Sequence, residues 1–280
     1  MKPKGLRKKF LSRIFGLSVV MTIPFFLFAC AEVPVTQRKG LHLVPKSELI
    51  SLSFQQYEEV LKKSKLSTDQ EKVVMVQRVG ERIAKASEAF LRDAGRDQQV
   101  KEYKWEFNLI EDDKTINAWA MPGGKVAVYT GILPITQDET GLAVVLGHEV
   151  AHAIAEHGNE RMSHALLANM GGMALSVALS KKPQKTRELF MTIFGVGANV
   201  GLLLPYSRLH ESEADQIGLM LMARAGYDPR QAVPFWERMN QTEGKIPPEF
   251  LSTHPAPASR IANIKGHIPE AMSYYRRSLQ

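Results

Sequence analysis

Three residues near the middle of the chain have types and a spacing that suit metal chemistry. His148, Glu149 and His152 form the pattern H-E-x-x-H. Residues four apart on an α-helix lie on the same face, so both imidazoles can bind one zinc ion at about 2.0–2.1 Å. The metal lowers the pKa of a bound water to about 7, and the carboxylate of Glu149 can accept its proton. The pattern predicts a metal-dependent hydrolase of peptide bonds.

The alternative is a chance match on a buried helix. Residues 141–147 and 153–155, which flank the motif, are small or apolar, so the histidines sit in an otherwise apolar helix. Two imidazoles and a carboxylate are costly to bury unless something coordinates them. The flanks therefore favour a metal site.

A catalytic zinc site needs a third protein ligand beside the two histidines. The metzincin continuation requires glycine at position 155 and histidine at position 158, where this chain has Ala155 and Gly158. A later acidic cluster offers another solution, because Glu211 and Asp215 lie one helical turn apart. One carboxylate can bind the metal while Asp215 accepts the free N–H of a histidine ligand. Such clusters are usually solvated helix faces, but the apolar residues at 217–223 favour a buried helix.

Four motifs in order along the chain resemble the HtpX/BepA/LoiP group of gluzincin metallopeptidases, relatives of the CAAX prenyl proteases. They are N-A-x-x-x-P-G-G at 117–124, H-E-x-x-H at 148–152, E-x-x-x-D at 211–215 and T-H-P at 253–255, followed by Arg260. The resemblance implies one Zn2+ ion per chain, bound by His148, His152 and Glu211 rather than Glu213. It also implies an α+β zincin-like fold, mainly helical, with a small antiparallel sheet whose edge strand lies beside the zinc helix.

The resemblance implies further site residues. His254 either donates to the tetrahedral intermediate or occupies the open zinc position at rest; the alternative is a polar residue before a helix. Arg260 supports either the oxyanion or the structure. An edge strand beside the metal would receive substrate as an added strand, although an ordinary paired strand is the alternative. The residues of that strand are Asn117, Ala118, Trp119, Ala120 and Met121. His157, His164 and His210 are predicted to be structural or exposed.

Periodicity and capping patterns predict the elements that position these residues. Asp138 can cap the helix that carries the zinc motif. The other predicted elements are a helix at 47–63, a helix from a capping box at Ser67 and Gln70 to about Leu91, a strand at 103–109, and a hairpin of residues 116–121 and 125–130.

Two apolar segments, 165–179 and 189–204, are too short to span a bilayer. They are predicted to be buried core or a cover over the cleft, with shallow membrane contact as the alternative.

The first 29 residues contain six basic residues and no acidic one, and residues 14–29 are uncharged. This run is shorter than the roughly 20 residues of a spanning helix and predicts a cleaved secretory signal. It ends at Leu27-Phe28-Ala29-Cys30, which resembles a bacterial lipobox. Cys30 is the only cysteine in the chain, so we predict that it carries a lipid anchor. An uncleaved signal anchor is the alternative.

The sequence divides into a signal peptide at 1–29, a tether and N-terminal lead-in at 30–65, and a zinc metallopeptidase domain at 66–280. Without the first 29 residues, 30 of the 36 basic residues remain against 29 acidic ones, so basicity gives no support for nucleic-acid binding. With one cysteine, the fold must be held by its core rather than by disulfides.

The zinc motif predicts a zinc endopeptidase, and the resemblance implies that it cleaves unfolded, misfolded or misassembled cell-envelope proteins. The predicted location is the periplasmic face of a bacterial outer membrane, because Ala31 rather than aspartate follows Cys30. The competing class is a periplasmic chaperone or assembly factor for outer-membrane proteins with little or no proteolysis. The sequence predicts neither the oligomeric state nor the natural substrates.

Overall fold

The structure, a computed structural model, describes residues 30–180, 182, 184–185, 187–188, 190–192, 204–241, 250, 254 and 259–279; at 30 and 204–207 this extends to the backbone alone. The predicted signal peptide at 1–29 and nearly all of the apolar segment at 189–204 therefore lie outside the described residues.

Helices dominate the described chain. In order, the elements are β1 (Cys30–Glu32), β2 (Lys39–Leu41), α1 (Lys46–Lys63), α2 (Gln70–Asp93), α3 (Asp97–Val100), β3 (Glu106–Ile110), β4 (Ala118–Met121), β5 (Lys125–Tyr129), α4 (Leu133–Thr136), α5 (Glu139–Ile154), α6 (His157–Ala178), α7 (Leu204–Arg224), α8 (Ala232–Gln241) and α9 (Ser259–Ser278). The architecture is the predicted zincin-like α+β fold.

Helix α5, which carries the zinc motif, lies at the centre of the core. Every residue from Gly141 to Ile154 is buried, as expected for a helix that is apolar on all sides. Helices α2 and α7 pack directly on α5, and α9 packs on α7. The helix begins as predicted at Asp138, whose Oδ1 accepts a hydrogen bond from the backbone N–H of Gly141 at 2.8 Å.

The sheet differs from the prediction in its topology. Among the described residues it has three strands in the order β3-β5-β4, with β5 antiparallel to β4 but parallel to β3. The predicted hairpin is present, and Met121 pairs with Lys125 across its turn. The sheet is mixed rather than antiparallel because β5 inserts between β3 and β4, so the spatial order of the strands is not their chain order. Strand β4 is left at the edge and packs on α5.

Two local predictions need correction. The cap of helix α2 lies two residues after the predicted one, because Asp69 rather than Ser67 accepts the capping hydrogen bond, from the N–H of Lys72. The apolar segment 165–179 was predicted to be buried core or a cover. Within α6, however, Met170 is 58% exposed and Val177 74% exposed, so these side chains are not buried core. Within the described residues, none of the helices contains an apolar stretch that could span a bilayer.

The segment between β1 and α1, predicted to be part of a tether, makes specific contacts with the metallopeptidase region. The N–H of Leu43 donates to Ser163 Oγ at 2.8 Å, and Asn159 Nδ2 donates to the carbonyl of Val44 at 2.9 Å. Arg38 in the same segment forms ion pairs with Glu160. Thr36 and Arg38 also contact Glu213 of α7, so residues 36–44 lie against both α6 and α7. The predicted domain boundary at 65 stays a prediction.

Candidate metal centre

Helices α5 and α7 and the residue His254 bring four donors together in the core. The buried set comprises His148, His152, Glu211 and His254, whose ligand atoms all lie within 4.8 Å of one another. His148 Nε2 lies 3.1 Å from His152 Nε2 and 3.2 Å from His254 Nδ1. The carboxylate of Glu211 lies 3.2 Å from His148 Nε2, 3.3 Å from His152 Nε2 and 3.1 Å from His254 Nδ1.

These separations fit a zinc ion. Four donors arranged tetrahedrally around zinc at about 2.0–2.1 Å lie about 3.3–3.4 Å from one another. The five measured separations are within a few tenths of an ångström of that value. Nitrogen and carboxylate oxygen are also the donor types that zinc takes. The donor set therefore matches zinc in both chemistry and spacing.

Burial and hydrogen bonds to neighbouring groups act in opposite directions on the pKa values of the donors. Burial would lower the pKa of His148, but hydrogen bonds to Asp215 and Glu211 outweigh it and raise the pKa to about 9. For His152, burial prevails and the pKa lies well below its ordinary value. Burial would raise the pKa of Glu211, but the neighbouring histidines hold it well below its ordinary value. Hydrogen bonds thus favour the protonated form of His148, and the neighbouring histidines favour the ionised form of Glu211.

Glu149 lies beside the donor set without joining it. Its side chain is buried, and its Oε1 lies 3.4 Å from His254 Nε2. A buried carboxylate next to the metal donors is placed to accept a proton from a water at the site. The structure thus places the carboxylate of Glu149 next to the histidines of its motif, and its role as proton acceptor stays a prediction.

Asp215 and Arg260 hold the ring of His148 in its orientation. Asp215 Oδ1 lies 3.0 Å from His148 Nδ1, so it fixes which nitrogen of that ring faces the donor set. Arg260 donates to both oxygens of Asp215, at 2.7 and 2.9 Å, and to the carbonyl of His254 at 3.1 Å. Its guanidinium lies 3.6 Å from the ring centroid of Trp236. Arg260 Nη1 also lies 3.5 Å from Glu211 Oε2. Its role, in support of either the oxyanion or the structure, stays a prediction.

Strand β4 carries four of the five predicted substrate-strand residues, and Asn117 directly precedes it. A cavity of about 60 Å³ lies between this strand and the metal site. It is lined by Ala120 and Pro122 on one side and by His152 and Gly158 on another, and α1 contributes Leu49. The metal site therefore adjoins both an edge strand and a small, mostly apolar recess.

The sequence alone did not reveal a group of buried polar residues behind His152. His157, predicted to be structural or exposed, is fully buried, and its Nδ1 lies 2.8 Å from His152 Nδ1. Glu213, which is not among the metal donors, lies 3.2 Å from His157 Nε2. Burial is the main cause that lowers the pKa of His157 to about 4, so this ring is neutral at pH 7. The only available signal was the position of His157 five residues after His152.

Comparison with known proteins identifies the family. The family model described as "Peptidase family M48" matches residues 57–268 of this chain. The chain belongs to peptidase family M48. It is 42% identical over 174 residues to Mitochondrial metalloendopeptidase OMA1 of Schizosaccharomyces pombe, covering 61% of this chain and 49% of that protein. It is 30% identical over 285 residues to the protein of the same name from Saccharomyces cerevisiae, covering 97% and 77%.

A bacterial relative is also similar to this M48 chain. The Beta-barrel assembly-enhancing protease of Escherichia coli is 30% identical over 167 residues, which are 58% of this chain and 34% of that protein. The chain spans about half of the Schizosaccharomyces pombe relative and about half of Metalloendopeptidase OMA1, mitochondrial, of Bos taurus. The family match confirms the predicted class, a zinc metallopeptidase, while the finer HtpX/BepA/LoiP assignment stays a prediction.

The predicted location at a bacterial outer membrane is wrong. The relatives that match across 96–97% of the chain are named as mitochondrial proteins, whereas the bacterial relative matches 58% of it. The error came from the first 30 residues. A basic start followed by a short apolar run is shared by several kinds of targeting segment, so this pattern did not define one destination.

Proposed function

We propose that this M48 protein is a zinc-dependent endopeptidase that cleaves misfolded or misassembled proteins. The observation that carries the proposal is the convergence of four buried donors with the carboxylate of Glu149 beside them. The mitochondrial relatives are named as metalloendopeptidases and the bacterial relative as a protease, which supports the same reaction.

The residues divide the chemistry between them. Bound zinc supplies a Lewis acid and makes water acidic enough to react at neutral pH. His148, His152 and Glu211 would hold the ion, and Asp215 keeps the Nδ1 proton of His148 in place so that Nε2 faces the metal. Glu149 accepts the proton of the attacking water and passes it to the leaving amine.

His254 closes the site in this arrangement. Its Nδ1 lies 3.2 Å from His148 Nε2 and 3.1 Å from Glu211 Oε2, so it would be a fourth ligand to a zinc ion held there, in the place that catalytic zinc sites leave to water. Of the two roles weighed for His254, this geometry supports occupation of that position at rest. Displacement of the ring would open the position and leave Nε2, now 3.4 Å from Glu149, free to act on the substrate.

Substrate recognition follows from the edge strand. Strand β4 can pair with an extended polypeptide through main-chain hydrogen bonds, which give affinity with little sequence preference. The adjoining cavity of about 60 Å³ can take one small or medium apolar side chain of that polypeptide. Both features suit unfolded chains, which present extended backbone and apolar side chains that folded proteins bury.

The test compares purified wild type with Glu149→Gln, which keeps the shape of the side chain and removes the base. We expect both to contain one zinc ion and to melt alike, and the variant to cleave an unfolded model protein roughly 10²–10⁴-fold more slowly. Glu237→Gln, an exposed glutamate on α8, is the matched control and should cleave normally. Wild-type cleavage by pure Glu149→Gln would reject the endopeptidase. If neither wild type nor Glu149→Gln cleaves the model protein but both suppress its aggregation, the chaperone or assembly-factor function is favoured.

Lipid attachment at Cys30 is a separate proposal. It rests on the apolar run that ends in Leu-Phe-Ala-Cys and on the absence of any other cysteine from the sequence. Mass spectrometry of the protein from its native host would detect the acyl chains on Cys30. A Cys30 that carries no lipid and reacts with thiol reagents would reject it.

A further inference from the structure

A buried ionic cluster lies next to the metal centre, and its cation comes from the N-terminal segment. Arg38 donates to both oxygens of Glu160, each at 2.7 Å, and to both oxygens of Glu213, at 2.9 and 2.7 Å. The two glutamates are only 1% and 4% exposed. Thr36 Oγ1 adds a hydrogen bond to Glu213 at 2.6 Å. One guanidinium thus orients two buried carboxylates.

This cluster connects to a zinc ligand through a single histidine. Glu213 Oε2 lies 3.2 Å from His157 Nε2, and His157 Nδ1 lies 2.8 Å from His152 Nδ1. The other nitrogen of His152, Nε2, lies among the metal donors. The path from Arg38 to the metal site therefore runs through hydrogen-bonding distances at every step.

Only one arrangement of protons fits this path when metal is bound. His152 Nε2 must present its lone pair to the metal, so Nδ1 carries the proton and donates it to His157 Nδ1. His157 Nε2 then carries the other proton and donates to the carboxylate of Glu213. Each ring has one donor and one acceptor nitrogen, and Glu213 accepts at the end. The orientation of His152 consequently depends on where Glu213 is held.

We propose that Arg38 is a positioning residue for the zinc ligand His152, acting through Glu213 and His157. The segment that carries Arg38 precedes residues 57–268, so the family match does not include it. The inference rests on the proposed zinc site and extends it, because it makes the N-terminal segment part of the metal centre. Without Arg38, Glu213 and Glu160 would share a buried space with less positive charge, and Glu213 would move towards solvent.

The test measures zinc affinity, since loss of a group that orients a metal ligand typically weakens binding roughly 10–100-fold. The variants are Arg38→Met, which keeps the aliphatic stem, and Arg38→Lys, which keeps the charge without the fork that reaches two carboxylates. The control is Arg96→Met, because Arg96 lies 3.8 Å from Glu32 and away from the path. Affinity is measured by competition with a fluorescent chelator, and ligand geometry by the visible spectrum of cobalt-substituted protein.

We expect Arg38→Met to bind zinc roughly 10–100-fold more weakly and to shift the cobalt bands, with Arg38→Lys in between and Arg96→Met unchanged. Combining Arg38→Met with Glu213→Gln should add little, because both act on the same path. A folded Arg38→Met protein with wild-type zinc affinity and cobalt spectrum would overturn the proposal, even if its melting temperature fell.

Two further outcomes keep the test decisive. If Arg38→Met does not fold, Thr36→Ala and Arg38→Lys replace it, and unchanged zinc affinity in both overturns the proposal. The proposed function fails separately, through cleavage by Glu149→Gln, a result that leaves the zinc affinities of the Arg38 variants unaffected.

Discussion

Gly147 and Gly218 hold the backbones of the two zinc-binding helices in direct contact. A Cβ added to Gly218 would lie 2.9 Å from the backbone nitrogen of His148, and one added to Gly147 would lie 2.8 Å from the carbonyl oxygen of Gly218. Glu211 precedes Gly218 by two helical turns and so lies on the same face of α7. Because glycine has no side chain at these two positions, the helices lie close enough for Glu211 to reach His148.

Gly218→Ala is expected to force α5 and α7 apart, because real Cβ atoms do not approach backbone atoms this closely. We expect the free energy of unfolding to fall by about 1–3 kcal/mol and zinc affinity to fall with it. Urea denaturation with and without a chelator measures both. Gly266→Ala on α9 is the control, since its added Cβ meets nothing within 4 Å; it should be neutral or slightly stabilising.

Glu211→Ala and Glu213→Ala are expected to differ sharply in metal content. Glu211 lies 3.1–3.3 Å from three histidine nitrogens of the site, whereas Glu213 reaches the metal donors only through His157. Glu211→Ala should purify without zinc, while Glu213→Ala should retain it with roughly 10–100-fold weaker affinity. Metal analysis after dialysis against a weak chelator separates them. Equal loss in both variants would reassign the third ligand.

Substitutions at Gly158 are expected to change substrate preference and leave the metal in place. This residue lines the cavity beside His152, and an added Cβ would meet only Pro122 Cγ, at 3.8 Å. Gly158→Leu should fill the cavity and reduce kcat/KM about tenfold for peptides with large apolar side chains. Gly158→Ala should have a small effect. A peptide series of graded side-chain size measures this, and a uniform loss across the series would count against the cavity as a side-chain site.

Acid is expected to destabilise the metal-free protein through the Arg38 cluster. Burial would raise the pKa of Glu213, but hydrogen bonds from His157 and Arg38 outweigh it and lower the pKa to about 2. The pKa of Glu160 is likewise held well below its ordinary value of 4.5, against burial, by His210 and Arg38. Both carboxylates bind protons more readily when unfolded. Their contribution to the free energy of unfolding is therefore fully present above pH 4.5, and it is lost as the pH falls through the pKa values that the two glutamates have in the folded protein.

The measurement for this prediction is urea unfolding of metal-free wild type and Arg38→Met at several pH values below 5. Metal-free protein is used so that the release of zinc in acid does not contribute to the change in stability with pH. The variant should be less stable at neutral pH and should lose less stability on acidification, because the glutamates have already lost their cation. Parallel pH profiles for the two proteins would show that Arg38 is not what lowers these pKa values.

Local patterns predicted the elements well where one periodicity or one cap decided the outcome. The helix that carries the zinc motif, its cap at Asp138 and the hairpin that ends in β5 are as expected. The failures were of two kinds. The cap of α2 is Asp69 rather than Ser67, because both are capping residue types two positions apart; Asp69 accepts from the N–H of Lys72, whereas Ser67 Oγ accepts from the N–H of Asp69. The parallel pairing of β3 with β5 depends on which strand inserts between the others, and strand patterns carry no such information.

Residue types and spacings along the chain were enough to predict a zinc site at the centre of this protein. A four-residue spacing places His148 and His152 on one face of a buried helix, and the order of four motifs indicated Glu211 and His254 as their partners. The contact of His254 with the donor set, and the position of Arg38 two hydrogen-bonded residues away from His152, come from the packing of distant segments. Helical periodicity acts over a few residues, whereas Arg38 and Glu213 are 175 residues apart, and packing alone sets their distance.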